Sequence, residues 1–168
     1  MTTERSDKLY EASRDAHAKF DYFILGAVGA LCAFIGQTFH PARLGLNPST
    51  GELLSLLLFC SAAIAGFRRI ESVNSLTRIN ANYLRMQEER GTLASTLGSP
   101  VLNHSTGDVY SPEQVEFRIE ALGESIAKVS ADLKNVGQTA LRMYNSRNWL
   151  LLAGFLVLLA SRVWSAYI

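Results

Sequence analysis

Residues 112–168 read PEQVEFRIE ALGESIAKVS ADLKNVGQTA LRMYNSRNWL LLAGFLVLLA SRVWSAYI, and two helical patterns follow one another in them without a stop. The first is a heptad repeat. Val115, Ile119, Leu122, Ile126, Val129, Leu133, Val136, Ala140 and Met143 alternate in steps of four and three, which holds an apolar seam on one side of a helix. The second begins at Trp149, where polar residues cease and an apolar run continues to Ala160. A helix that opens as a coiled coil is therefore expected to run straight into a membrane span. Its start is well marked: Ser111 suits the N-cap, Pro112 the first helical position, and Gln114 can close a capping box.

Working outward, two further apolar stretches precede this one, Phe20–Phe39 and Leu53–Phe67. A bilayer core needs roughly 20 apolar residues at a rise of about 1.5 Å each, with about 17 as the lower limit. Tyr22–Phe39 meets it, whereas the second and third runs are short. Short spans are tolerated where flanking side chains snorkel and the bilayer thins. Trp149 at one end of the third run and Trp164 and Tyr167 at the other match an interfacial aromatic belt. A soluble bundle would need polar faces that these runs lack. The first stretch follows a segment of mixed charge (Glu4, Arg5, Asp7, Lys8, Glu11, Arg14, Asp15, Lys19) and ends at Phe39-His40-Pro41, a poor cleavage site. It reads as a retained span, not a signal peptide.

Sidedness follows from Lys and Arg in the flanks. The N-terminal segment carries Arg5, Lys8, Arg14 and Lys19, and Arg43 is the only base between the first two spans. Ten bases lie between Arg68 and Arg147, with Arg68 and Arg69 directly after the second span and Arg147 directly before the third. The N-terminus and the central segment are expected in the cytosol, and the short loop and C-terminus on the opposite side.

The central segment breaks at a run rich in Gly, Ser, Thr and Pro, at 91–111. Before it, Leu76, Ile79, Tyr83 and Met86 keep a three-four-three spacing, with Ile70 and Val73 in a shifted register. Val101-Leu102 and Val109-Tyr110 flank a Gly-containing turn and suggest a small β-hairpin at the tip. Gly123, Ser130 and Gly137 recur every seven residues beside the seam, which suggests a close neighbouring backbone, or chance. The expected organisation is an all-α membrane protein. It has a cytosolic amphipathic N-terminal helix at 1–19, a transmembrane hairpin at 20–67 with spans 20–39 and 53–67, a cytosolic antiparallel coiled-coil-like helical hairpin at 68–148 with its tip loop at 91–111, and a third span at 149–168.

Chemistry is sparse. Net charge is +1 at 48% hydrophobic residues, so no strong field recruits nucleic acid. The two cysteines, Cys32 and Cys60, lie in apolar stretches, which excludes a disulfide-built secreted domain. They read as two small residues at similar depth if the first two spans pack antiparallel. His17 and Asp21 stand at i, i+4, enough for a hydrogen bond but short of the three or four ligands of a metal site. The Asn103-His104-Ser105 sequon is expected to be silent in the cytosol. No phosphate loop, nucleophile elbow or zinc motif is present, so neither enzymatic activity nor a cofactor is expected.

Two kinds of residue are singled out. Ile119, Leu122, Ile126, Val129, Leu133 and Val136 are the candidate interaction seam. Glu52, the only acid between Asp21 and Arg68, and Arg162, the only base in the third span, are expected to pair in the membrane or, in the alternative, Arg162 snorkels to lipid phosphate. Small residues four apart (Gly26 with Ala30, Gly29 with Ala33, Ala62 with Gly66) allow close helix packing within or between chains. The function expected is a non-enzymatic scaffold or accessory subunit whose partners are the lipid bilayer and either further copies of itself or a larger membrane complex. The alternative is a homo-oligomeric pore or membrane-perturbing effector.

Overall fold

A computed structural model describes residues 2–39, 41, 43, 45, 47–96, 101–102 and 109–167. Three helices account for nearly all of them: α1 at Thr2–Thr38, α2 at Pro48–Ser95 and α3 at Pro112–Tyr167. The strands β1, Val101–Leu102, and β2, Val109–Tyr110, pair antiparallel with Val101 opposite Tyr110. The turn expected between them, with the Asn103 sequon, lies outside the described residues. All three helices are long and apolar enough to cross a membrane.

Local signals explain the boundaries. No Pro or Gly occurs between Thr2 and Leu25, so the N-terminal segment continues the first span as one helix. Helix α2 starts at Pro48, earlier than the apolar run at Leu53 implies. Asn47 is its N-cap: its Oδ1 accepts from the Thr50 amide at 2.8 Å and the Thr50 hydroxyl at 2.9 Å, with Pro48 in the first helical position. At the start of α3, the Ser111 amide donates to Gln114 Oε1 at 3.0 Å and the Gln114 amide to Ser111 Oγ at 3.4 Å, a reciprocal cap.

The chain forms two compact units, Met1–Glu71 with Thr139–Ile168, and Ser72–Gln138. In the first, Val28, Ile35 and Phe59 are buried, and Leu31, Leu56, Leu151 and Leu158 pack against them, so all three apolar segments share one core. Large apolar side chains such as Phe23, Leu57, Phe67, Phe155 and Leu156 nevertheless remain on the outside, each about half exposed or more. A bilayer absorbs such a surface and water does not. In the second unit, Leu93, Val115 and Leu122 are buried, with Met86, Tyr110 and Ile119 packed around them.

The small residues divide into two classes. Ala62 is fully buried, and a Cβ on Gly66 would lie 3.4 Å from Arg147 Cδ and 3.5 Å from Leu25 Cδ1, so this pair serves packing within the chain. Gly26 and Gly29 face open space. The tightest approaches fall elsewhere. A Cβ on Gly154 would meet Phe59 Cε1 at 3.1 Å, and one on Gly51 would meet Ser161 Cβ at 3.0 Å. Side chains, not a backbone, cover the heptad glycines: Leu76 lies over Gly137 and Arg90 over Gly123.

Candidate functional site

Each end of the apolar core in the first unit carries a polar layer drawn from all three helices. At one end, Asp21 of α1 is 6% exposed and its Oδ1 accepts from two guanidinium groups, Arg69 of α2 and Arg147 of α3. The Arg147 bond is 2.8 Å, and Arg147 itself is only 2% exposed. Its Nε and Nη2 reach Asn148 Oδ1 at 3.3 Å. Tyr144 stacks beneath both cations, with its ring centre 4.5 Å from Arg69 Cζ and 5.2 Å from Arg147 Cζ. One carboxylate thus ties three helices, and the narrow Gly66 lets the Arg147 stem pass. His17 stays exposed one turn earlier, and the Asp21 carboxylate goes to the arginines in place of the i, i+4 partner expected from sequence.

At the other end, Arg162 Nε lies 3.2 Å from Glu52 Oε1, and Arg162 Nη2 donates to Thr38 Oγ1 at 2.9 Å. Glu52 is 8% exposed. Beside it, Ser161 Oγ donates to the Pro48 carbonyl at 2.5 Å and Ser55 Oγ to the Glu52 carbonyl at 2.7 Å. Between the layers, Cys32 Sγ and Cys60 Sγ are 4.0 Å apart.

The candidate interaction residues all lie in the second unit. Leu122 is buried and Ile119 packs on the same cluster, while Ile126, Val129, Leu133 and Val136 are half-buried between exposed flanks. Leu76, Ile79, Tyr83 and Met86 of α2 are half-buried in the same way. Arg118 binds Glu89 through Nε at 3.1 Å and Nη2 at 2.8 Å, and this hydrogen bond raises the guanidinium pKa above its ordinary value. A groove of about 470 Å³ opens beside the seam, floored by Met86, Leu122 and Val129 and rimmed by Arg85, Glu89 and Arg118. Among the described residues no three His, Cys, Asp or Glu side chains converge as metal ligands would.

The Asp21 cluster is what sequence reasoning missed, although its signal was present. Asp21, Arg69 and Arg147 each stand at the same boundary of their own apolar run, so antiparallel packing brings them to one level. No family model, curated protein or solved structure matches this chain.

Proposed function

We propose that this chain is a multi-pass membrane scaffold or accessory subunit, and that residues 72–138 form a cytosolic antiparallel coiled-coil hairpin which self-associates or recruits a partner helix. One observation carries the reading. Among the described residues the seam is buried only near the tip, at Leu93, Val115 and Leu122, whereas Ile126, Val129, Leu133 and Val136 and, on α2, Leu76, Ile79, Tyr83 and Met86 stay half-buried. Two helices shield only part of an apolar seam. A third or fourth helix, from a second copy or a partner, completes it. The basic flanks at residues 1–19 and 68–147 support a cytosolic location.

The pore reading draws no comparable support. Thr38, Ser55 and Ser61 each donate to a carbonyl of their own helix, Thr38 also accepts from Arg162, and so few hydroxyls give a continuous polar stripe little support.

The test is native electrophoresis of the full chain in mild detergent, with co-purifying proteins identified. An assembly larger than the monomer is expected, and Leu133→Asp, which places an unpaired charge on the seam, is expected to dissolve it. Free monomer with no co-purifying protein overturns the proposal, and conductance above background in liposomes favours the pore. In a Cys32→Ala, Cys60→Ala background, cysteines introduced at Lys8 and His104 should be protected from impermeant label in intact cells, and one at Asn47 should react.

A further inference from the structure

The two polar layers of the first unit define a height. Asp21 and Thr38 are seventeen residues apart on α1, Glu52 and Arg69 seventeen on α2, and Arg147 and Arg162 fifteen on α3. At about 1.5 Å per residue the apolar segments between them are roughly 25, 25 and 22 Å long. An average bilayer presents a hydrocarbon core of about 30 Å. Tilting a helix shortens its projection on the bilayer normal and so widens the discrepancy.

Snorkelling is the usual remedy for a short span, and here the ion pairs oppose it. Arg147 is held by Asp21 and Asn148 and is 2% exposed, so it cannot extend outward without breaking a buried pair. Arg162 is held at the other end by Glu52 and Thr38. The exposed aromatic residues of α3 bracket a similarly short height: Trp149 and Trp164, 71% and 42% exposed, are fifteen residues apart, about 22 Å, and Tyr167, 86% exposed, is eighteen from Trp149, about 27 Å.

From this geometry we infer that the outer surface of the three-helix core is matched to a thin bilayer, with a hydrocarbon thickness of about 22–25 Å, and selects short-chain lipid around itself. The inference rests on the reading of the three helices as membrane spans. Its partner is the acyl region of the bilayer and requires no particular headgroup. A thicker membrane must thin around each molecule, a deformation that shrinks when molecules share a boundary, so thickness also favours the clustering proposed above.

Lipid-selective quenching of the two tryptophans tests it. The purified full chain is reconstituted into fluid phosphatidylcholine mixtures in which one component is brominated: short (about fourteen carbons), medium (about eighteen) or long (about twenty-two) chains. Short-chain lipid is expected to be enriched around the protein roughly two- to three-fold over long-chain lipid. Equal quenching, or a preference for medium or long chains, overturns the inference. Arg162→Leu removes the exposed member of the pair and lengthens the apolar outer surface of α3. Glu52→Leu is added so that no buried carboxylate is left unpaired, and the double change should move the optimum to longer chains. An unmoved optimum also overturns it. Failure of the protein to float with any vesicle overturns the membrane reading itself, which separates the two outcomes.

Discussion

Asp21→Ala removes the single oxygen that two arginines share. Asp21 and Arg147 side chains are 7% and 3% exposed, and Arg69 is 16% exposed, so the orphaned charges are left in a poorly solvated site. Breaking a buried ion pair from one side costs about 3–5 kcal/mol, mostly because the remaining charge has lost its counter-ion. Two features moderate that value. Arg147 keeps Asn148 as an acceptor, and Arg69 keeps the Tyr144 ring and some water. A loss of about 3–4 kcal/mol is expected, a fall of roughly a hundred- to a thousandfold in the folded-to-unfolded ratio. Against a total of about 5–15 kcal/mol, that is a large fraction. Unfolding in bicelles, followed by tryptophan emission, measures it. Asp21→Asn separates charge from shape, because the amide keeps an acceptor oxygen, and should retain only part of the stability. Asp21→Leu with Arg147→Leu removes both members of the most buried pair and should be less damaging than the sum of the single changes, with a coupling of about 2 kcal/mol or more. A loss below about 1 kcal/mol for Asp21→Ala, or strict additivity in the pair, would refute the argument that this carboxylate is the buried tie between three helices.

Gly154→Leu should destabilise the three-helix core by about 1–3 kcal/mol through overpacking, since even its Cβ meets Phe59 and Leu58 at 3.1 and 3.3 Å. Gly29→Leu, in open space, should leave unfolding of the isolated chain unchanged, and equal effects would contradict the packing described. A double-mutant cycle with Glu52→Gln and Arg162→Gln should show favourable coupling in the same unfolding assay, and a value near zero leaves Arg162 to lipid phosphate. Arg118→Ala should cost no more than about 1 kcal/mol by thermal denaturation, because the Arg118 and Glu89 side chains are 53% and 38% exposed. Its raised pKa makes that contribution fully present at and below the ordinary arginine range and lost only at more alkaline pH. Denaturation from pH 6 to 9, about the neutral range, should therefore show no loss of this contribution through the Arg118 guanidinium.

What the sequence determined by itself is what depends on neighbours along one helix. Apolar run length requires three membrane-competent helices, because each rises by a constant amount per residue. Ser111-Pro112-Glu113-Gln114 specifies a start for α3, and the four-three spacing specifies the side of α3 that turns inward from Val115 to Met143. The start of α2 was legible too, in Asn47-Pro48, but the larger apolar signal at Leu53 hid it. Tertiary structure alone decided which residues meet across helices. The four-residue spacing marks Gly26, Gly29, Ala62 and Gly66 alike as sites for close helix packing, yet only the packing makes Gly66 a close contact, leaves Gly26 and Gly29 open, and adds Gly154, which that spacing did not single out. Likewise, flank charge counts treat Arg69 and Arg147 as interchangeable members of a basic excess. Three-dimensional placement puts both on the oxygen of Asp21, 48 and 126 residues away along the chain. The reason is that helical geometry is local and repeats along the chain, whereas an ion pair between helices depends on their relative rotation and depth, which no single helix contains.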